Sequence, residues 1–344
     1  MKKGKRILAL VLATATLLAT AGCGAKDDDA AAGSPPPLGD QEYELHAATA
    51  VAENDHDRHT IKLRAFKEEV EEKTNGKVKI VIHFGAELGG EREYVEMMQT
   101  GDLDFASLAT SVLSGFTDSM KFYDMPMMFK DEEQLLAFTE SDLGKSKLEA
   151  LKDIDLVGLA AGPAGTRDIL TIPSKPVTCL ADLKGMKIRV METPIHIEGM
   201  EMLGAQPIPM PYNECYQSMQ TGVIDGMENE MTTYMTQRFY EVAPNFSQVA
   251  WLNLVNLTLA SKKTMDSLPV EYQEIITTAA ENATIKAAEE GMAYDETEGI
   301  QALKDAGATV IDVDVEEFRD ALQPLIDENT DLIGQDVLDW IAAN

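Results

Sequence analysis

The chain has 344 residues, with 29 basic against 59 acidic side chains and a formal net charge of −30. That balance excludes nucleic-acid binding, which needs basic patches to neutralise phosphates. Three cysteines are too few for a disulfide scaffold.

Lys2, Lys3, Lys5 and Arg6 precede an apolar stretch from Ile7 to about Ala19. A basic start followed by an apolar run too short to span a bilayer is the pattern of a secretory signal, so residues 1–22 read as a signal peptide. Leu18-Ala19-Thr20-Ala21-Gly22-Cys23 resembles a bacterial lipobox, although Thr20 stands where leucine is usual and Ala19-Thr20-Ala21 also fits an ordinary cleavage site. The expectation is a lipid on Cys23 that anchors the chain to the outer face of the cell membrane. Residues 23–40 then form a tether, because Asp27-Asp28-Asp29, Gly33-Ser34 and Pro35-Pro36-Pro37 cannot fill a core.

Loss of residues 1–22 leaves 25 basic and 59 acidic residues, a charge of −34. Acidic runs such as Glu68-Glu69 and Glu71-Glu72 read as solvated helix faces. Cys179 and Cys215 read as unpaired small hydrophobes.

The body alternates strands and helices. Thr60–Lys73 is amphipathic, with Leu63, Phe66 and Val70 on one face and Asn75-Gly76 as its stop. Residues 77–84 alternate as a strand, and residues 92–100 form a helix that stops at Gly101. Leu103–Leu108, Leu156–Ala160 and Lys187–Val190 read as strands, and Ile195–Leu203 and Tyr212–Thr221 as helices. This order predicts an α/β architecture. Residues 269–306 carry a long helical pattern that Gly291 and Gly299 kink or break, with Ser267 as its predicted N-cap. Asp314 and Glu317 are placed to form a capping box ahead of Phe318, Leu322 and Leu325.

Enzyme signatures are missing: the sequence has no GxSxG, HExxH or GxGxxG motif. Gly144-Lys145-Ser146 has the ending of a P-loop, but Thr139 stands where its first glycine belongs. His56 and His59, beside Asp55 and Asp57, have metal-ligand chemistry, and a solvated helix start is the preferred reading.

The informative region is 181–230. It reads Asp182-Leu183-Lys184-Gly185-Met186-Lys187-Ile188-Arg189-Val190, then Leu203-Gly204-Ala205, Pro209-Met210-Pro211-Tyr212, and Gln220-Thr221-Gly222-Val223-Ile224-Asp225-Gly226-Met227-Glu228-Asn229. On physical grounds, Arg189 at a strand end is either a surface ion-pair member or a ligand group, since open α/β sheets bind ligands at such ends. The run resembles the DctP-type solute receptors of TRAP transporters, whose G-x-K-x-R-V, L-G-A, M-x-aromatic and D-G…E-N elements occur here in order, with Ser218-Met219 a mild departure. Weaker similarity covers Leu88-Gly89-Gly90-Glu91-Arg92, Gly101-Asp102-Leu103-Asp104-Phe105 and Met125-Pro126-Met127-Met128-Phe129.

The resemblance implies a periplasmic-binding-protein-like fold of two α/β lobes, joined by crossing hinge segments and a long helix spanning both. Residues 41–164 with 255–294 would make one lobe, and 165–254 with 295–344 the other. It also implies extracytoplasmic capture of a small organic acid, delivery to TRAP membrane permease subunits, a monomer, no cofactor and no catalysis. Arg189 matches the arginine that grips the substrate carboxylate bidentately, Arg167 a second arginine, Asn229 the asparagine after the D-G turn, and Tyr212 the covering aromatic. Glu91 and Glu192 match polar ligand contacts. In this chain 106–112 is uncharged, which argues against sialate. Glu230 and Trp251 stand where relatives carry Asn or Pro and a histidine. The expected solute is a sugar acid, a uronate or aldonate, with a C4-dicarboxylate or keto acid as the alternative. A sensory ligand-binding module and a secreted hydrolase are the rival classes.

Overall fold

Strands form where apolar and β-branched residues alternate or run together, and in this chain they join one sheet. The computed structural model describes residues 41–344, so the expected signal peptide, lipidated Cys23 and tether lie outside the described residues. The strands are β1 (Tyr43–Ala48), β2 (Val78–His83), β3 (Phe105–Ala109), β4 (Leu156–Thr171), β5 (Lys187–Val190), β6 (Gln206–Pro209), β7 (Gly226–Glu230), β8 (Asn245–Ser261) and β9 (Thr309–Asp312). Their order is β2-β1-β3-β8-β4-β7-β5-β6, with β9 on β8.

The two long strands β4 and β8 pair antiparallel from Leu156↔Ser261 to Thr171↔Asn245. One end of that ladder carries β1, β2 and β3, and the other β5, β6, β7 and β9. These are the two lobes of a mixed α/β fold. Midway the register shifts at Pro163/Gly165 and again at Arg167/Ile169. At the second shift Ala250 takes φ +54°, and its N–H donates to Asp168 Oδ1 at 2.8 Å. A buried carboxylate thus replaces a missing ladder partner, and burial pushes its pKa up to about 7 against the pull of backbone N–H groups. Leu156–Ala160 was the visible tip of a strand three times longer, whose continuation contains Gly162, Pro163 and Gly165. Proline inside a central strand normally argues against one, and the bulges are what admit it.

Helix α1 (Arg58–Lys73) is capped by Asp57, which accepts from the backbone N–H of His59 and Thr60 at 2.9 and 3.2 Å. Asp55 and His56 are exposed, as a solvated start requires, but the helix start itself corrects that expectation: Asp57, Arg58, His59 and Lys62 are all covered. His59 contacts Ser107 and Asn256, and burial holds its pKa down to about 3. Lys62 donates to Asn256, and burial lowers its pKa to about 7. Among the described residues no group of three or more His, Cys, Asp or Glu is placed to hold a metal ion. Helix α2 (Glu91–Thr100) stops at Gly101, which adopts φ +79°.

Helix α3 (Glu132–Glu140) is followed by α4 (Asp142–Lys147), which contains Gly144-Lys145-Ser146. Ser141 caps α4, Lys145 pairs with Glu281 at 2.8 Å, and a Cβ on Gly144 would strike the Phe138 carbonyl. Those residues are explained without a phosphate. Helix α5 (Pro194–Met202) opens with proline at its first position, and α6 (Cys215–Gln220) follows a 3₁₀ turn over Tyr212–Glu214. Cys179 and Cys215 are free thiols.

After β7 come α7 (Met231–Thr236) and, beyond β8, α8 (Lys262–Ser267). Ser267 ends α8, donating to the Thr264 carbonyl at 2.7 Å, so it is not the N-cap of the long helix. That helix, α9 (Val270–Tyr294), starts after Pro269, passes through a π-helical turn (Asp295–Gly299) and ends as α10 (Ile300–Asp305). Gly291 does not break it. A Cβ there would collide with the guanidinium of Arg58, which binds Glu132 and, at 2.5 Å, Asp295 of the π turn.

Helix α11 (Val315–Glu328) takes its cap from Asp314, but the predicted box is only half made. Glu317 Oε2 accepts from the N–H of Leu180 at 3.1 Å instead. Helices α12 (Thr330–Ile333) and α13 (Gln335–Ala343) close the chain, with Trp340 edge-on to Phe138 at 5.1 Å. Apolar faces of α1, α9 and β1–β3 form one core, those of α6, α7 and β7 another, and a third joins them through β8 and α11.

Candidate functional site

A cleft of about 340 Å³ opens where the start of α2, the turn after β3, the end of β5 and the Pro211–Glu214 turn converge. Each of these is a strand end or a helix start, where backbone direction changes and side chains project from the sheet edge. Glu91, Arg189, Glu192 and Tyr212 all line it. Ser111 and Val112 add the uncharged wall foreseen from the 106–112 stretch.

Arg189 is buried at the end of β5. Its Nε and Nη2 both donate to the carbonyl of Met210, at 3.0 and 2.8 Å. Its Nη1 lies 4.0 Å from Glu228 Oε1, an oxygen with no hydrogen-bond partner. One edge of the guanidinium is therefore fixed and the opposite edge is left with N–H groups to spare.

Glu91 is half-buried, and desolvation outweighs the attraction of Arg189, pushing its carboxyl up to about 7. Burial raises the Tyr212 phenol well above its ordinary range, and the hydroxyl has no partner. Its ring meets Phe239 edge-on at 5.9 Å. Glu192 is exposed at the rim.

Arg167 and Asn229 are not on the cleft wall. They lie on the paired strands β4 and β7, with Arg167 opposite Glu230 and Asp168 opposite Asn229. Arg167 Nε binds Glu228, Nη1 binds Glu230, and Nη2 donates to the Glu228 carbonyl at 2.7 Å. Asn229 is buried with neither amide atom paired.

Sequence reasoning named Glu228 and Glu230 without a role. The signal was available: in a strand, residues 228 and 230 share a face, and that face meets Arg167. It also missed the Met210 carbonyl, which no side-chain pattern reveals, and Arg92, which stacks over Phe116 at 4.8 Å. Trp251 is fully buried against His196 and Gly199, away from the cleft wall.

The chain is 39% identical over 225 residues to a solute-binding protein of Sulfitobacter sp. (strain NAS-14.1), covering 64% of this chain and 67% of that one. It is 31% identical to a C4-dicarboxylate-binding periplasmic protein of Rhodobacter capsulatus, over 81% of this chain and 84% of that one. A TRAP periplasmic solute-binding protein from Sulfitobacter sp. NAS-14.1, solved with bound β-D-galacturonate, superposes with a TM-score of 0.79 at 28% identity, covering 87% of this chain and 98% of that one. The sequence pattern of one family runs from residue 48 to residue 331: the chain belongs to bacterial extracellular solute-binding protein family 7, the DctP-type receptors of TRAP transporters.

Proposed function

We propose that the chain captures a sugar acid, a uronate or aldonate, and presents it to TRAP permease subunits without chemical conversion. The observation that carries this reading is Arg189, buried, clamped on one edge by the Met210 carbonyl and open on the other. That open terminal edge receives the solute carboxylate as two parallel N–H···O bonds, a geometry a planar guanidinium offers and an ammonium does not. Glu91 and Glu192 accept from the sugar hydroxyls, and Tyr212 covers the ring and donates its unpaired hydroxyl. Asn229 turns to the solute when the lobes close, and Arg167 braces the strand that carries it.

The lobes divide near 164/165 and 254/255, where Pro163↔Val255 gives way to Gly165↔Leu254 in the β4–β8 ladder. Capture shifts an open–closed equilibrium about that crossing, and the permease reads the closed form. The net charge does not defeat anion capture, because charges beyond roughly 8 Å are screened at physiological salt. The receptor acts as a monomer held to the membrane by lipid on Cys23, and the intact mass of the mature N-terminus measures that anchor.

A thermal-shift panel of sugar acids, C4-dicarboxylates, keto acids and amino acids tests the assignment. A bound solute at a hundred times its Kd adds about 2.7 kcal/mol of apparent stability. Uronates or aldonates are expected to give the largest shift. A shift from C4-dicarboxylates alone would favour the second reading, to which the Rhodobacter capsulatus relative points. Turnover of any of these acids would move the protein to the enzymes.

A further inference from the structure

We infer that Glu230, together with Glu228, occupies Arg167 and thereby restricts the cleft to solutes bearing a single carboxylate; this rests on the sugar-acid reading above and narrows it to mono-anionic acids. The alternation of β7 points Glu228 and Glu230 to one face, and Glu230 is the ladder partner of Arg167. All three guanidinium nitrogens of Arg167 are committed, to the two carboxylates and to the Glu228 carbonyl. In this buried group of two arginines and two glutamates the charges cancel before any solute arrives.

One bound carboxylate brings the group to a single net negative charge. A second would double it with no free guanidinium to meet it, in a place where low polarisability makes each like charge costly. The cleft wall gives no relief. Glu91, Glu93, Glu192 and Glu214 line it against one further cation, Arg92. Arg92 is already engaged by Phe116 and, at 3.3 Å, by Glu96. Hydroxyls suit such a wall, because they donate to carboxylates. A polyol chain with one acid end matches the cleft. A C4-dicarboxylate, or an aldarate with an acid at each end, does not.

Calorimetry on the full mature protein at pH 8, with galacturonate, galactarate and succinate as the probes, tests this. Galacturonate is expected to bind at least about thirtyfold more tightly than either dianion, the cost of roughly one uncompensated buried charge. In Glu230→Gln the buried group gains one positive charge. The dianions then gain more than the monoanion, and the preference falls by about fivefold or more. Glu192→Gln, at the exposed rim, carries no folding risk and is expected to lower the preference by about twofold. Equal binding of galacturonate and galactarate by the unmodified protein overturns the inference and leaves the sugar-acid reading standing. Failure of every uronate and aldonate in the thermal-shift panel to bind overturns that reading itself. A preference unchanged in both variants removes the glutamates as its source.

Discussion

Arg167 and Arg189 lie on strands of one sheet, and each is 3% exposed, so burial does not distinguish them. Their counter-charges do. Two carboxylates and a carbonyl engage all three nitrogens of Arg167, whereas Arg189 has one carbonyl and a carboxylate 4.0 Å away. A buried guanidinium with every nitrogen bonded and its charge met by two carboxylates holds structure together; one with a whole edge unbonded is poised to bind. The chain contains both within one charged group, and the difference is written in β7 and not in either arginine.

Several experiments break or sharpen that contrast, beginning with the largest effect. Arg167→Met leaves two carboxylates buried without their partner, so it should cost about 3–5 kcal/mol of folding stability. Urea unfolding measures this, and a loss below about 1 kcal/mol would deny Arg167 its bracing role. Arg189→Ala should cost less stability, about 1–3 kcal/mol for the Met210 carbonyl that loses its donors, and about 2–5 kcal/mol of solute binding, read by calorimetry. Arg189→Lys keeps the charge and loses the fork, with an expected loss of about 1–3 kcal/mol. A lysine variant that binds as tightly as the parent would rule out bidentate recognition.

The smallest effect is a pH slope. The folded pKa of Glu91 is raised from 4.5 to about 7, so the folded state keeps a proton that the unfolded chain has released. Its contribution to stability is therefore complete below pH 4.5, falls as pH rises towards 7 and then levels off. Asp57, Asp124 and Asp168 are shifted in the same direction to about 7, whereas His59 and His196, held down from 6.5 to about 3 by burial, give an opposite slope below pH 6.5, so the unmodified protein shows the resultant. Glu91→Gln should flatten that slope in part, as measured by melting temperatures across pH 4–8. An identical slope would mean that the carboxyl titrates as if solvated.

Much of this was legible in the sequence, and the gaps have physical causes. Helices with an apolar stripe and a local stop, such as α1 before Asn75-Gly76 and α2 before Gly101, are encoded within a dozen residues. The four predicted site residues that line the cleft, Glu91, Arg189, Glu192 and Tyr212, fall in the 181–230 run or the Leu88–Arg92 segment, where local motifs carry them. The extent of β4 was hidden, because its Gly162, Pro163 and Gly165 are tolerated only through bulges set by a partner about ninety residues away in sequence. Ser267 and Glu317 have the right types for caps, yet each serves another element. The committed state of Arg167 depends on a strand pairing across 63 residues, which no local window contains.

The β4–β8 ladder also bears on how such receptors are taken apart and recombined. Each of these strands contributes one half to each lobe, so neither lobe is a contiguous piece of chain. A single cut at residue 164 would strand β8 on one fragment and half of its ladder on the other. Exchange of binding faces between relatives therefore needs paired junctions, one in each strand at matched register. Modularity in this architecture is a property of two crossovers acting together.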